Sequence, residues 1–456
     1  MFMKKRKAIA WLIALVMLIP AVLAGCGSQD STISNVEINK DGTAAQKKDG
    51  DVTLKVWWGV QTPERTKLAE ETFAKFQQKE PGIKIDFLGV PGDANQYKQK
   101  VDMAIAAGDV PDVAVYLFRS DYIERDVYEP LDEYFAKWEG KDQIAPSVIE
   151  SYRTMDYKNK KLYSLPQGSL VWVLWLRPDW FKEANLAIPE SWDDVFNAIP
   201  KLTDKAKGRY GLSIRGGSGA AQNLEYLMYS YSGITEYFTK DGQCTINDPL
   251  HLEFVEKYLG AYNVYTPEDD LNKGWTELAA TFQSGKAAII AHNLGSAASH
   301  EKAFNGDYSK FMALTYPKSK KGNVVHPAIE PYGVTMMKKS THKEEAWKLM
   351  TFLVSSEADG DYAKLYSEVP ANLEAAKADW IQKLPYMKSG ADFLASDTYK
   401  FYENPNYLPE YKSIGVKDID PLVQKVMAKK MSAKEMLDQW AELMKKSKDE
   451  FDKTHQ

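Results

Sequence analysis

The stretch TLKVWWGVQTPERTKLAEETFAKFQQKEPGIKIDFLGV (residues 53–90) carries the pattern from which the fold is predicted. A β-rich run ends in glycine, and Thr62 with the proline after it supplies a helix N-cap and a first helical residue. Ala69, Phe73 and Phe76 then recur at the spacing of one buried helical stripe. A Pro-Gly pair ends the helix before the second strand, IKIDFLGV. The stretch therefore predicts a strand, a helix and a strand.

The same alternation continues after residue 90. Tyr97, Val101 and Ile105 mark a second helix, and PDVAVYL (111–117) follows as a third strand. This order predicts an α/β fold that starts with an open parallel sheet. A second unit of the same class is expected from near Leu165, with LVWVLWL as its first strand. Later helices are expected around residues 252–262, 346–353 and 436–444, and the last of these either packs on its own domain or binds a partner or membrane.

The beginning of the chain resembles an export signal. Four basic residues precede an uncharged apolar run from Ala8 to Ala24, and the residues LAGC, ending at Cys26, resemble the lipobox of bacterial lipoproteins. That resemblance implies cleavage after residue 25, lipidation of Cys26 and anchoring to the outer face of a bacterial cell membrane. Two alternatives are an uncleaved helical anchor and an ordinary cleavage site followed by a chance cysteine. Residues 26–50 are polar and predict a disordered tether.

Composition excludes several classes of function. Removal of residues 1–25 takes four of the 58 basic side chains and leaves 54 against 63 acidic ones, a net charge of −9, which argues against nucleic acid as a partner. Cys244 is then the only other cysteine, and we expect a small buried hydrophobic residue rather than a nucleophile. The six histidines are scattered without a metal-binding motif, so no metal or cofactor is predicted.

Five phrases along the folded part together resemble a known family. They are KLYSLP (161–166), LRPDWFKEANLAIPESWDDVFNAIPKLT (176–203), FQSGKAAIIA (282–291), THKEEAWKLMTFLVSSE (341–357) and EVPAN (368–372). In this order and spacing they resemble the extracellular solute-binding proteins of the maltose-binding-like group, family 1. The resemblance covers roughly residues 51–445, and no single phrase is specific alone.

The resemblance implies two α/β lobes of the type II periplasmic-binding-protein kind, with a ligand cleft between them. Lobe 1 would comprise residues 51–166 and 331–374, and lobe 2 would comprise residues 167–330 and 375–456. The hinge crossings would fall near Pro166, near residues 330–331 and near Glu374. Such a protein would be a monomeric receptor that captures a carbohydrate, expected to be an oligosaccharide, and delivers it to the permease of an ABC importer by hinge closure.

Candidate ligand contacts in the first lobe follow strands one and three, because ligands of open parallel sheets lie beyond the carboxyl ends of the strands. Trp57 and Trp58 should point to opposite faces, and Trp58 is chosen to line the cleft. The other candidates are Gln61, Glu64, Phe118 and Arg119. Glu64 is also explained as a charge at a helix N-terminus, and Arg119 could instead pair with Asp121 or Glu124.

Candidate contacts outside that group lie beside the crossings and after the strands of the second lobe. They are Gln167, Arg215, Gln222, Asn223, Trp275, His292, Asn293, Glu330 and Tyr332. The family usually has a glycine and a tryptophan after the strand AAIIA, whereas this chain has HNLGSAAS. Trp275 either replaces that sugar-stacking tryptophan or only packs between helices, and Glu330 and Tyr332 could equally serve hinge packing.

Two short motifs that could indicate other activities are incomplete. GGSGA (216–220) lacks the second glycine of a serine-hydrolase elbow, and SGKAA (284–288) lacks the residues of a phosphate loop. Two rival functions are considered beside the solute-binding receptor. The adjacent acids at 193–194 and 268–270 could suggest a surface glycosidase or lyase, although such acids are usually solvated. The second rival keeps the fold but binds a non-sugar solute such as a peptide or polyol. A binding protein without enzymatic activity is the preferred prediction.

Overall fold

The computed structural model describes residues 51–327, 332–396 and 398–455. The strands are β1 (Val52–Gln61), β2 (Ile83–Pro91), β3 (Val113–Val115), β4 (Ser164–Pro166), β5 (Trp172–Leu176), β6 (Ile289–Asn293), β7 (Met312–Leu314), β8 (Val324–Pro327), β9 (Gly333–Met336) and β10 (Tyr399–Tyr402).

The helices are α1 (Pro63–Lys79), α2 (Ala94–Ala107), α3 (Ser120–Glu124), α4 (Asp132–Lys137), α5 (Pro146–Arg153), α6 (Pro178–Glu183), α7 (Trp192–Lys201), α8 (Ala220–Ser232), α9 (Pro249–Gly260), α10 (Trp275–Gln283), α11 (Ala297–Ala303), α12 (Lys343–Leu353), α13 (Ser356–Tyr366), α14 (Asp379–Lys383), α15 (Pro385–Ala395), α16 (Tyr411–Ser413), α17 (Asp420–Met427) and α18 (Ala433–Thr454). A π-helical segment, Ile414–Ile419, joins α16 to α17.

The first sheet has five strands in the order β2-β1-β3-β9-β4. Strands β1, β2 and β3 are parallel, as predicted, while β9 pairs antiparallel with both β3 and β4. Helix α1 starts where expected, because the Thr62 hydroxyl accepts a hydrogen bond from Arg65 N and a proline occupies the first turn. Ala69, Phe73 and Phe76 are buried, which confirms the predicted apolar stripe.

The second sheet has three strands in the order β6-β5-β7, and both of its pairings are antiparallel. The prediction of a second unit of the same parallel class is therefore wrong for the direction of these strands. The run YGLSI forms only isolated parallel bridges, from Tyr210 to Ala287 and from Ser213 to Ile290. A fully buried apolar strand has the same sequence pattern in parallel and antiparallel sheets. Burial on both faces removes the alternation of polar and apolar residues that is typical of a half-exposed antiparallel strand.

Two large buried clusters form the core, and strand β5 of the second sheet contributes to both, with Val173 in the first cluster and Leu174 in the second. Helix α15 packs in the first cluster. Gly390 of α15 lies so close to Leu294 and Val369 that a β-carbon would come within 2.6 and 2.7 Å of their side chains. Helix α18 buries Met436, Trp440 and Met444 in the second cluster. Packing on its own chain therefore accounts for the apolar face of α18. Within the described ranges, no helix combines the length and apolar character needed to cross a membrane.

The chain passes between the two sheets through short segments. It leaves the first sheet at Pro166 and enters the second at Trp172. Strand β8, which pairs with β10 in a separate two-stranded sheet, ends at Pro327, and β9 begins in the first sheet at Gly333. A third segment, residues 367–373, lies beside the first, because Val369 N donates to Ser169 O at 3.0 Å. The lobe boundaries stated above remain a prediction.

The buried Asp359 carboxylate holds the first and third of these segments together. One of its oxygens accepts a hydrogen bond from Gly168 N at 2.6 Å and the other accepts from Asn372 N at 2.8 Å. Burial raises the pKa of Asp359 to about 7, and the backbone N–H donors at Asn372 and Gly168 oppose that rise. One side chain of α13 therefore fixes two backbone segments that are far apart in sequence.

Replacing Asp359 with asparagine tests this constraint. An amide keeps the size but offers one oxygen, so one buried N–H loses its acceptor and the free energy of unfolding falls by about 1–3 kcal/mol. The measurement is denaturant unfolding at about pH 4, where the carboxyl group is still protonated in the folded protein, so the loss of native stability that its ionisation causes as pH rises toward 7 does not enter the comparison. The control is Asp361→Asn on the same helix, whose exposed side chain pairs with Lys75 and should change stability by less than about 1 kcal/mol. Equal losses in the two variants would contradict a special role for Asp359.

Candidate functional site

A row of aromatic rings lies at the edge of the first sheet where the parallel strands end; we call it the first aromatic cluster. Its members are Trp58, Tyr362, Tyr366, Tyr116 and Tyr332. The ring centroids of neighbouring members are 6.2, 4.0, 6.2 and 4.4 Å apart in that order. Trp58 is buried at one end of the row, whereas Tyr116 and Tyr332 are half-buried at the other. The outer end therefore presents a flat aromatic surface.

Tyr116 is a cluster residue that the sequence prediction missed. It directly follows β3, and its backbone is in the left-handed region with φ of 68°, which turns the chain away from the strand direction. Phe118, the residue chosen instead, is 4% exposed and packs against Tyr128 and Tyr152 in the core. The structure therefore places Tyr116, and not Phe118, in the row of rings. The signal available in the sequence was position, since Tyr116 is the first residue beyond the observed strand.

The polar candidates near the first cluster are largely occupied by local bonds. The Gln61 amide donates to Gly59 O at 3.2 Å and is buried. Glu64 is exposed, and a backbone N–H and the Thr62 hydroxyl lower its pKa. Arg119 donates to Asp121 at 2.7 Å, which is the pairing considered above. Gln167 donates to Leu353 O at 3.1 Å, while its Oε1 is buried without a partner among the described residues.

A second aromatic cluster lies at the corresponding edge of the second sheet. Trp172 opens β5, and its ring is 4.8 Å from that of Tyr226 and 5.4 Å from that of Trp275. Trp275 also packs on His292 with a centroid separation of 3.3 Å, and Arg215 lies 5.2 Å over the Trp275 ring. The structure thus brings together three predicted site residues, Arg215, Trp275 and His292. Trp172 and Tyr226 were not predicted.

His292 and two further candidates beside this cluster, Asn293 and Asn223, serve local structure. Burial lowers the pKa of His292 to about 4, so the imidazole is neutral at physiological pH. Asn293 caps the turn that follows β6 by accepting from Gly295 N at 3.1 Å. Asn223 is buried and donates to Ala291 O at 3.4 Å. The burial and local hydrogen bonds of these side chains stabilise the second aromatic cluster.

A cavity of about 220 Å³ adjoins the second cluster between α8 and the chain around residues 404–420. Its wall consists of Gly219, Ala221, Gln222, Glu225, Tyr226, Asn404, Asn406, Tyr411, Lys412, Gly415, Val416, Asp420 and Trp440. Gln222, a predicted contact, donates to the Tyr226 hydroxyl at 3.0 Å. Asn404 Oδ1 is buried without a partner among the described residues. The cavity wall includes part of the π-helical segment, a backbone form that is frequent at functional sites.

Glu225 forms the buried floor of this cavity. Its carboxylate accepts hydrogen bonds from the hydroxyls of Tyr402 at 2.8 Å, Tyr237 at 3.4 Å and Tyr411. Burial raises the pKa of Glu225 to about 7, and the three hydroxyl donors partly oppose that rise. The floor is therefore close to half-protonated near neutral pH.

Two features connect the aromatic clusters. The six residue steps from Pro166, beside Tyr332, to Trp172 can span at most about 21 Å. In addition, the Ser120 hydroxyl of α3 donates to Asn406 O, in the cavity wall, at 2.6 Å.

Two of the predicted functional positions, Cys26 and Glu330, lie outside the described residues. Among the residues that the structure does describe, no group of three His, Cys, Asp or Glu side chains could hold a metal ion.

The sequence profile of the bacterial extracellular solute-binding proteins matches residues 59–360, about two thirds of this chain. The chain belongs to this family. The resemblance stated from the sequence is thereby confirmed, and the exported nature of the family agrees with the predicted export of the chain. A solute-binding protein of this family is a receptor by role, so the aromatic clusters and the cavity are candidate solute contacts.

Relatives and solved structures of solute-binding proteins support the same assignment. A protein of Brucella abortus, named as a binding protein, is 27% identical over 331 residues, which are 68% of this chain and 74% of the relative. The multiple sugar-binding protein of Streptococcus mutans is 23% identical over 77% of this chain and 79% of its own length. The structure of the sugar-binding protein MalE of Xanthomonas citri superimposes with a TM-score of 0.72 at 17% identity, covering 87% of this chain and 97% of that one. The fold is therefore the two-domain α/β fold of sugar-binding receptors.

Replacing Glu225 with glutamine tests the protonation of the cavity floor. The folded-state pKa of about 7 exceeds the ordinary glutamate value of 4.5, so the folded protein holds a proton that the unfolded chain releases between these values. The native protein therefore loses stability as pH rises from 4.5 to 7, and the glutamine variant is spared that loss. We expect the melting temperature of E225Q to rise relative to the native protein across this window and to level off above it.

The experiment compares thermal unfolding of both proteins at several pH values. Glu236→Gln, at an exposed site nearby, is the control, and its melting temperature should follow that of the native protein at every pH. A difference between E225Q and the native protein that stays constant from pH 4.5 to 7 would mean that the buried carboxylate is ionised throughout.

Proposed function

We propose that this solute-binding protein is a non-catalytic receptor that captures a saccharide and delivers it to the permease of an ABC importer. The observation that carries the proposal is the pair of aromatic clusters at the edges of the two sheets, since aromatic faces lie flat against the apolar C–H faces of sugar rings. Relatives named as sugar-binding proteins support the same ligand class. Residues 51–166 with 331–374 would form one lobe, and residues 167–330 with 375–456 the other.

Polar atoms beside the rings support a ligand rich in hydroxyl groups. Gln167 Oε1, Trp172 Nε1 and Asn404 Oδ1 are buried and lack hydrogen-bond partners among the described residues. Buried polar atoms without partners destabilise a protein unless a ligand or water completes them. One donor and two acceptors suit hydroxyl groups, which both donate and accept. Closure of the two lobes around such a ligand would distinguish the loaded from the empty receptor.

A surface glycosidase or lyase is the second candidate, and the acids that suggested it have other partners. Asp193 pairs with Lys320 at 2.9 Å, and Asp194 caps α7 through Ser191. Asp270 is buried against Lys273 at 2.7 Å; burial raises its pKa to about 6 and the lysine opposes the rise. None of these acids lines the cavity described above. The binding role is therefore favoured over hydrolysis.

Export and anchoring complete the proposal. The family is extracellular, and the LAGC sequence ending at Cys26 would provide the anchor by lipidation of the cysteine. A receptor held at the membrane surface as a monomer would stay within reach of its permease.

Replacing single aromatic residues tests saccharide binding. A thermal-shift screen of mono- and oligosaccharides first identifies a ligand, because a solute bound only by the folded state raises its melting temperature. We expect Tyr116→Ala and Trp275→Ala each to raise the dissociation constant about tenfold, the effect of losing roughly 1.5 kcal/mol of ring contact. Trp138→Ala is the matched control, since this half-buried tryptophan packs on Trp347, away from both clusters.

The same samples decide between receptor and enzyme. After prolonged incubation, chromatography should return the saccharide intact. Conversion of the saccharide would support the glycosidase or lyase, and a thermal shift with polyols alone would support a non-sugar solute.

Replacing Cys26 with serine tests the anchor. We expect the N-terminal peptide of the native protein to begin at Cys26 and to carry the mass of attached lipid, whereas the serine variant should carry no lipid because it lacks the sulfur. Cys244→Ser is the control, and its N-terminal peptide should carry the lipid as that of the native protein does. A native protein that keeps residues 1–25 and carries no lipid would support the alternative of an uncleaved helical anchor.

A further inference from the structure

The described arginines divide into two groups by their ion pairs. Five form ion pairs with carboxylates at 3.2 Å or less; they are Arg119, Arg125, Arg153, Arg177 and Arg209. The other two, Arg65 and Arg215, form no ion pair with any described residue. Each of these two guanidinium groups lies instead over a ring of an aromatic cluster, Arg65 over Tyr366 in the first and Arg215 over Trp275 in the second.

Arg65 is held by one backbone bond and one ring. Its Nη1 donates to Val60 O at 2.9 Å, and its guanidinium carbon lies 3.9 Å from the centre of the Tyr366 ring. Val60 has φ of 57°, an unfavourable conformation for a β-branched residue that is found mainly where a local constraint requires it. Nε and Nη2 of Arg65 have no acceptor among the described residues, so one side of the planar group is free to bind a ligand.

Arg215 is held in a similar way on the second cluster. Its Nε donates to Ser218 O at 2.7 Å, and its guanidinium carbon lies 5.2 Å from the centre of the Trp275 ring. Gly219, with φ of 78°, allows the backbone to pass directly beside the guanidinium group, where a β-carbon would collide with it. Both terminal nitrogens of Arg215 lack acceptors among the described residues. Each terminal nitrogen can therefore donate to a ligand oxygen.

The acids nearest to these arginines do not neutralise them by contact. Asp420 accepts from Gly219 N and Ala221 N, each at 2.7 Å, and Glu277 accepts from Gly274 N at 3.1 Å. Glu368, whose charge is influenced by Arg65, is buried, and burial raises its pKa to about 8. Two half-buried cations therefore line the candidate site without a carboxylate in contact, and each has N–H donors available to an anionic ligand.

We propose, as an extension of the saccharide receptor proposed above, that the ligand is an acidic saccharide whose carboxylate groups bind Arg65 and Arg215. The planar guanidinium fork matches a carboxylate with two parallel hydrogen bonds, and its stacking on an aromatic ring leaves the edge of the fork exposed. A sugar ring beside Tyr366 or Trp275 would place its carboxylate at that edge. A uronic-acid oligosaccharide combines these features, because it carries both a ring face and a carboxylate in each unit.

The test compares each acidic saccharide with its own neutral ester. Short oligomers of galacturonic, glucuronic and mannuronic acid, and their methyl esters, are titrated against the native protein by calorimetry. We expect at least one acid to bind at least tenfold more tightly than its ester. For that acid, Arg65→Gln and Arg215→Gln should each raise the dissociation constant about tenfold or more, and Arg65→Lys and Arg215→Lys should recover only part of the loss, because lysine keeps the charge without the fork.

The matched control is Arg209→Gln, since Arg209 also lies over a ring, 4.7 Å from Trp180, but pairs with Glu183 outside the site. It should bind the acid as the native protein does, and all variants should melt within a few degrees of the native protein. Binding of neutral saccharides or esters as tight as that of the acids would overturn the acidic ligand while leaving the saccharide receptor intact. Unchanged binding in Arg65→Gln and Arg215→Gln would also overturn it. Failure of every saccharide, acidic or neutral, to bind would instead overturn the proposed function itself.

Discussion

The two hydrogen bonds of the Asp359 carboxylate are the constraint on which the arrangement of the site depends. They tie Gly168 to Asn372, and these residues belong to two of the segments that run beside each other between the sheets. Gly168 has φ of 64°, and a β-carbon there would collide with Glu368 and Tyr362. The hydrogen bond to Asp359 and the neighbouring side chains of Glu368 and Tyr362 therefore fix the backbone at Gly168. Motion of one sheet relative to the other must pivot about backbone that is already fixed to the first sheet.

This constraint bears directly on the aromatic clusters. The first segment leaves the first sheet at Pro166 and ends at Trp172, a ring of the second cluster. Tyr362 and Tyr366 belong to α13, the same helix that carries Asp359. The helix thus holds the pivot and two rings of the first cluster as one rigid unit. A small rotation at residues 170–171, beyond the fixed backbone, would change the separation of the clusters and leave the geometry within each cluster unchanged, which is the behaviour expected of a receptor that closes on its ligand.

Local patterns predicted the elements well, and tertiary geometry explains what they did not predict. Thr62 and the stripe on α1 were predictable, because capping and apolar spacing act over a few residues. The direction of β5 was not, because a strand buried on both faces gives no sign of its partner's orientation. Trp275 and His292 were both chosen, but their contact was not foreseeable from a separation of 17 residues. Tyr116 was missed because its orientation depends on a left-handed backbone, and Asn404 because nothing in its local sequence marks a cavity wall.

Burial reduces the negative charge of two acids in the site but leaves the arginines charged. It raises the pKa of Glu225 to about 7 and that of Glu368 to about 8, so these acids carry only part of their charge near neutral pH. Arginine remains protonated under the same conditions. Arg65 and Arg215 therefore keep their charge in a chain whose formal net charge is −5. An anionic ligand would meet a mildly repulsive long-range field and attractive contacts only at close range, so its selection over a neutral ligand would arise mainly from a slower dissociation rate rather than from faster association.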